Sequence, residues 1–215
     1  MLLLHEARDE DPCLIVLGGL VPEILTAGHD HAIPDHLGTT DVDVLLITQV
    51  DGSLDLGGVE RALKRLKFEP DDEDWRWRGR ISGLPVKIEF LCDPDEEGEG
   101  EVIRPGGCEK LAAVNLRGTG YVARDFTFET LSADFDDGAR VTVQARFAGL
   151  CGYLLSKCVA RYHGARDAGP SGYFAQAVQV DPDIDETLAR SDAVDAVARF
   201  FAELASCRTE EVVPV

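Results

Sequence analysis

The order of apolar and polar positions along the chain predicts several strands with helices between them. Strands are expected where the pattern is a short apolar run or an alternation, at residues 13–17, 41–48, 74–79, 85–91, 126–131 and 141–143. The acidic, glycine-rich stretch 93–101 reads as a loop.

Helices are predicted where apolar residues recur every three or four positions. Residues 20–27 carry Pro22 in their first turn, where the missing N–H costs no helical hydrogen bond. Val59, Leu63 and Leu66 indicate a second helix between the second and third strands. From about residue 146 the pattern is helical again.

The helical region after residue 146 contains one apolar stripe, which we expect to be buried. Its members recur at helical spacing and end near Gly164: Phe147, Leu150, Cys151, Leu154, Cys158 and Tyr162. Lys157 lies beside this stripe. A second stripe at 194–204 predicts a last amphipathic helix.

Composition places the chain among globular proteins. Its 215 residues are 45% apolar, which suffices for a packed core. No apolar run approaches the roughly 20 residues of a membrane span, and the apolar start of the chain is too short for a signal peptide. We therefore expect a cytoplasmic protein without a membrane partner. We also expect its cysteines to be reduced and to lie in the core.

Two carboxylates, Asp41 and Asp43, lie one residue apart at the start of the predicted strand 41–48. Because side chains alternate between the faces of a strand, both emerge on one face while Val42 and Val44 point into the core. Divalent cations such as Mg²⁺ prefer hard oxygen ligands that converge in this way. A solvated polar face of the strand is the alternative.

A glycine pair, Gly18 and Gly19, closes the first strand and precedes the first helix. Such a turn exposes backbone N–H groups and the positive end of the helix dipole, which together bind anions. A triphosphate therefore fits this turn.

A third carboxylate, Glu89, lies on the otherwise largely apolar strand 85–91. Between Ile88 and Phe90 a carboxylate is unfavourable unless it is paired, bound to a metal or turned to an open face. An exposed position on an edge strand is the alternative.

These three segments resemble the nucleotidyltransferase superfamily that includes DNA polymerase beta, and within it the AbiE-type toxin nucleotidyltransferases and related stand-alone proteins. Residues 17–21 (LGGLV) resemble the family's glycine turn, and residues 38–43 (GTTDVD) resemble its double-aspartate strand. Residues 86–91 (VKIEFL) resemble the strand that carries its third carboxylate. The resemblance covers roughly the first ninety residues in the family's order.

The resemblance implies an α+β fold with a mixed sheet flanked by helices and a helical C-terminal part. A nucleotidyltransferase core would cover residues 1–135, and a mainly helical subdomain would cover 136–215. The implied reaction moves a nucleoside monophosphate from an NTP such as ATP to a hydroxyl acceptor and releases pyrophosphate, with two Mg²⁺ ions. Catalysis and metal binding would fall to Asp41, Asp43 and Glu89.

The resemblance also implies the nucleotide contacts. Residues 154–157 (LLSK), followed by Arg166 and Asp167, are similar to the AbiE-type pattern of a helical lysine before a basic-acidic pair. In the family that lysine contacts the phosphates. The implied nucleotide-binding residues are Gly18, Gly19, Thr39, Thr40 and Lys157. For Lys157, a surface lysine at a helix edge is the alternative.

The chain departs from the family pattern at two places. Residues 166–172 (RDAGPSG) lack the second aspartate through which relatives often continue into a helix, and Leu37 stands where some relatives have an arginine. Because of these two differences, the alternative is a catalytically degenerate member of the family that binds a nucleotide or a partner protein.

The expected partners are an NTP and an acceptor that is an RNA or tRNA end, a protein or a small molecule. A toxin–antitoxin relationship would add a cognate antitoxin-like protein. The net charge of −19 argues against a long nonspecific nucleic-acid footprint. A local basic patch could still hold an RNA end, and a solvated charged surface is the alternative. The patch consists of Arg61, Lys64, Arg65, Arg76, Arg78 and Arg80. The histidines of loop 29–36 are a zinc-site alternative to a plain polar loop.

Overall fold

The computed structural model of the protein describes residues 13–26, 41–47, 56–81, 83–94, 97–134, 138, 140–166, 198–199 and 202–203. In these parts of the chain the strands are β1 (Cys13–Leu17), β2 (Asp41–Ile47), β3 (Glu69–Pro70), β4 (Arg76–Ile81), β5 (Leu84–Cys92), β6 (Val102–Ile103), β7 (Ala113–Asn115), β8 (Phe126–Asp134) and β9 (Arg140–Ala148). The α-helices are α1 (Val21–Thr26), α2 (Leu56–Arg65) and α3 (Leu150–Arg166). Two 3₁₀ helices are formed by Gly18–Leu20 and Thr119–Arg124.

The strands form one mixed sheet in the order β3-β4-β5-β2-β1-β9-β8, and β7 pairs with β5 and with β6. The pairs β2–β5, β1–β9 and β5–β7 are parallel, whereas the other pairs are antiparallel. The expected combination of a mixed sheet with helices is confirmed.

Each face of the sheet carries an apolar layer. Val42 and Val44 of β2 belong to the larger layer, which includes Val59 and Leu63 of α2. Leu45 of β2 belongs to the smaller layer on the opposite face. Because side chains alternate along a strand, the odd-numbered positions of β2 share the face of this smaller layer.

The region that was expected to be helical from residue 146 begins as a strand. β9 extends to Ala148, so Phe147 lies in the sheet, and α3 begins at Leu150. Leu150 and Leu154 are 57% and 51% exposed, and Cys151 and Cys158 are exposed free thiols. The prediction that this stripe is a buried helical face is wrong, and so is the core position expected for these two cysteines.

Small residues explain the orientation of α3. Gly152 and Ser156 are buried on the side of α3 that faces the 3₁₀ helix Thr119–Arg124. A Cβ atom on Gly152 would lie 2.9 Å from the backbone oxygen of Asp125 and 2.9 Å from the Cα of Val122. The backbones approach too closely for a large side chain, so the leucines lie on the other side of the helix.

The sheet continues past the expected boundary between residues 135 and 136. β8 and β9 pair from Phe126 with Ala148 to Asp134 with Arg140, and β9 also pairs with β1. The division into two domains stays a prediction. The apolar residues of the expected last helix, Val194, Val197, Phe201 and Leu204, lie outside the described residues.

Within the parts of the chain that the structure describes, no helix has both the length and the apolar character needed to cross a membrane. The cytoplasmic location stays a prediction.

A buried carboxylate on α2 fixes the segment that precedes β7. Glu60 Oε2 accepts hydrogen bonds from the backbone N–H groups of residues 109–111 at 2.9, 3.0 and 3.2 Å. Its Oε1 atom lies 2.6 Å from Lys64 Nζ. Burial alone would raise the pKa of Glu60, but the hydrogen bonds from Lys64 and the backbone together lower this pKa to about 2.

This carboxylate should stabilise the fold in a pH-dependent way. Because its pKa is lowered from 4.5 to about 2, its contribution is present above about pH 4.5 and is lost as the pH falls towards 2. We expect Glu60→Gln to lower the free energy of unfolding by about 1–3 kcal/mol at pH 7. In urea unfolding, this difference from the unsubstituted protein should shrink below pH 4.5.

The matched control is Glu109→Gln, which removes an exposed carboxylate that lies 3.5 Å from the same lysine. It should change the free energy of unfolding by less than about 0.5 kcal/mol. Equal losses in the two variants would contradict the anchoring role of Glu60.

Candidate functional site

The parallel pairing of β2 with β5 places Asp43 beside Glu89 and Asp41 beside Lys87. Alternation puts all four side chains on one face of the sheet. The Asp41 side chain is 51% exposed at the start of β2, Asp43 is half-buried, and Glu89 is buried. The structure thus brings together the three carboxylates that the sequence indicates.

Two cations hold Glu89, whose side chain is 5% exposed. Arg76 lies opposite Glu89 on β4, and its Nε atom donates to Glu89 Oε1 at 2.8 Å. Lys87 Nζ lies 2.9 Å from the same oxygen and 3.0 Å from Asp41 Oδ2. Since β5 lies between β4 and β2, the alternative of an exposed edge position for Glu89 is wrong.

The pKa values of these cations reflect the pairing. Burial alone would lower the pKa of Lys87, but hydrogen bonds and charges of Glu89 and Asp41 raise it. Burial alone would also lower the pKa of Arg76, but the carboxylates of Glu89, Glu73 and Asp71 together raise it. Both side chains remain charged at neutral pH and offset the charge of the buried carboxylate.

The glycine turn lies against Asp43. Leu17 is opposite Asp43 in the antiparallel pair of β1 and β2, and Gly18 follows with φ 85°. A Cβ atom on residue 18 would overlap the Asp43 carboxylate. Glycine is required here by the backbone conformation and by the lack of space. The 3₁₀ helix Gly18–Leu20 then continues into α1.

The helix α3 contributes Tyr153 and Lys157. Lys157 Nζ lies 5.5 Å from the centroid of the Tyr153 ring, which is a cation–π distance. Burial lowers the pKa of Lys157, and the charge of Asp43 opposes this. Burial raises the pKa of Tyr153, and Asp43 raises it further. Both side chains therefore lie within the electrostatic reach of Asp43, and Lys157 is partly buried.

Three residues of the site were not assigned to it from the sequence, namely Arg76, Lys87 and Tyr153. Arg76 was grouped with the basic patch. Lys87 was noted only as part of the segment around Glu89, although residues two apart on a strand share a face. Tyr153 is four residues from Lys157, and this spacing on a helix was the signal that could have found it.

The Asp41 and Asp43 carboxylates offer the oxygen donors that hard divalent cations prefer. Both side chains lie on one face of β2. Glu89 is instead held by Arg76 and Lys87. Across the described parts of the chain, no group of three or more His, Cys, Asp or Glu side chains is arranged to hold a metal ion. Two ions, and Glu89 as a metal ligand, stay predictions.

Several expected residues lie outside the described parts of the chain. These are Thr39, Thr40, the histidines of loop 29–36 and Asp167, and the side chain of Arg166 is likewise not described. The nucleotide-binding roles of Gly18, Gly19 and Lys157 stay predictions.

Four of the six basic residues of the expected RNA patch contact carboxylates of this chain. Lys64 pairs with Glu60, Arg65 with Glu203, Arg76 with Glu89 and Arg78 with Asp71. RNA contact stays a prediction.

No protein-family model, no curated protein and no solved structure matches the chain. The nucleotidyltransferase resemblance rests on residues 17–21, 38–43 and 86–91.

The close contact of Gly18 with Asp43 can be tested by substitution. Gly18→Ala adds both backbone strain and an overlap with the Asp43 carboxylate, so we expect a loss of about 2–4 kcal/mol in the free energy of unfolding. Gly83 has φ 90° with open space around it, so Gly83→Ala should cost only the strain, about 1–2 kcal/mol. Urea unfolding measures both losses.

A double variant separates overlap from strain. In an Asp43→Ala background, Gly18→Ala should cost little more than Gly83→Ala, because the carboxylate that it meets is gone. An undiminished cost in that background would contradict the contact.

Proposed function

We propose that the chain is a metal-dependent nucleotidyltransferase with a DNA polymerase beta-like fold. It would move a nucleoside monophosphate from an NTP to a hydroxyl acceptor and release pyrophosphate. The observation that carries this proposal is that Gly18 lies against the Asp43 carboxylate, whose charge also acts on Lys157. Gly18 follows β1, Asp43 lies on β2 and Lys157 lies on α3, and Asp43 is the group that the other two share.

Asp41 and Asp43 would hold Mg²⁺ at the start of β2. A bound Mg²⁺ ion supplies positive charge to phosphate oxygens and lowers the pKa of a coordinated hydroxyl. Asp43 is held in position by its neighbours, because β1 pairs with one side of β2 and β5 pairs with the other. Asp41 is more exposed, and the salt bridge to Lys87 orients its carboxylate.

The glycine turn and Lys157 would bind the phosphates. Gly18 brings the backbone of the turn against Asp43, so phosphate oxygens that accept from its N–H groups would lie beside the carboxylates. Lys157 would offset the charge that develops on the leaving pyrophosphate. The Tyr153 ring packs beside the Lys157 ammonium and orients it.

A second candidate is a degenerate relative that binds a nucleotide or a partner without transfer. The contacts of Glu89 favour it, because this carboxylate is already held by Arg76 and Lys87. An RNA or tRNA acceptor and an antitoxin-like partner are part of the proposal through the resemblance alone.

Thermal unfolding tests the nucleotide site. Each NTP with Mg²⁺ should raise the melting temperature, since a ligand at about 100 times its Kd stabilises the native state by about 2.7 kcal/mol. The shift should disappear in Asp41→Ala/Asp43→Ala and become smaller in Lys157→Met. The control Asp72→Ala removes an exposed carboxylate outside the site and should keep the full shift. No shift with any NTP would contradict the proposal.

Turnover separates the two candidates. An NTP labelled at the α-phosphate should transfer its label to an RNA, protein or small-molecule acceptor and release pyrophosphate. Nucleotide binding without pyrophosphate release across these acceptor classes would favour the degenerate module.

A further inference from the structure

On the face of the sheet that carries Asp41, Asp43 and Glu89, the Lys87 ammonium group lies between two of the carboxylates. Lys87 Nζ lies 3.0 Å from Asp41 Oδ2 and 2.9 Å from Glu89 Oε1. Lys87 is the neighbour of Asp41 across the parallel pair and lies two residues before Glu89 on β5. The position of this ammonium group therefore follows from the register of the sheet.

A second positive charge keeps Glu89 in this arrangement. Arg76 Nε lies 2.8 Å from the same Oε1 atom, and Arg76 is itself close to Asp71 and Glu73, at 3.8 and 3.3 Å. A divalent ion that used Glu89 as a ligand would have to displace Lys87 or lie beside two fixed cations. Little water is present to screen that repulsion, because the Glu89 side chain is 5% exposed.

We propose that Lys87 takes the place of one of the two metal ions that the resemblance implies, so that the site binds a single divalent ion at Asp41 and Asp43. This inference rests on the proposed function. The Lys87 ammonium then serves as the second cation of the site.

The charges of the site agree with a single ion. Asp41, Asp43 and Glu89 bring three negative charges, and Arg76 and Lys87 bring two positive ones. An ammonium group has three N–H donors. Two of them serve Asp41 and Glu89, which leaves a third that can donate to an oxygen of a bound phosphate or acceptor.

The number of bound ions tests this proposal without a measurement of activity. Mn²⁺, the probe used in place of Mg²⁺, is titrated into the protein with a saturating non-hydrolysable NTP, and bound Mn²⁺ is counted by electron paramagnetic resonance. Ions that also bind to Asp41→Ala/Asp43→Ala are subtracted, because an acidic chain attracts cations elsewhere on its surface. After this subtraction, the unsubstituted protein should bind one Mn²⁺ ion, and this ion should show no magnetic coupling to another.

Lys87→Met should create the second position. This variant should bind two site-specific ions, which couple magnetically because paired metals lie about 3.5–4 Å apart. Lys87→Arg keeps the charge and should still bind one ion. Lys110→Gln, the control, removes an exposed lysine outside the site and should also bind one ion.

Three results would overturn the proposal. Two coupled ions in the unsubstituted protein would overturn the single-ion proposal and leave the proposed function intact. A single ion in a Lys87→Met variant that circular dichroism shows to be folded would also overturn the single-ion proposal and leave the proposed function intact. No site-specific ion in the unsubstituted protein would contradict the proposed function as well. If Lys87→Met does not fold, the count in the unsubstituted protein decides alone.

Discussion

The charge of one buried carboxylate constrains the rest of the site. Glu89 lies in the interior of the sheet, where an uncompensated charge would cost about 3–5 kcal/mol. Arg76 from β4 and Lys87 from β5 provide the compensation. Since the arginine reaches Glu89 only if β4 pairs with β5 in the observed register, the charge balance of the site and the pairing of these strands depend on each other.

The same register aligns the site across four strands. Arg76 is opposite Glu89, Glu89 is beside Asp43, and Asp43 is opposite the residue before Gly18. This row runs across the strands and ends at the glycine turn. On its face of the sheet, the apolar layer that includes Leu45 packs beneath the 3₁₀ helix Thr119–Arg124. That layer gives the polar row a rigid support, which a site needs if its oxygen atoms are to stay in position.

The elements near the site could be predicted from the sequence because their signals are local. The apolar run of β1 and the alternation of β2 predict that Asp41 and Asp43 share a face. The partners of Glu89 could not be predicted in the same way, since alternation identifies a face and says nothing about which strand lies next to it. The predicted buried face of α3 was wrong for a related reason. Its apolar residues lie on more than one side, and the close approach at Gly152 decides between them.

A lysine differs from a metal ion as a counterion because it cannot leave. Arg76 and Lys87 offset the charge of Glu89 and part of the charge of Asp41 before any ligand arrives, so the buried carboxylate needs no metal to offset its charge. The same two positive charges weaken the attraction of the site for a free divalent ion. In the proposed function, a bound triphosphate would add negative charge beside Asp41 and Asp43 and would raise that attraction, and by linkage the ion would raise the affinity for the triphosphate by the same factor. Under this proposal the metal ion and the nucleotide would bind together, and the fixed positive charges of Arg76 and Lys87 would limit the affinity for the metal ion.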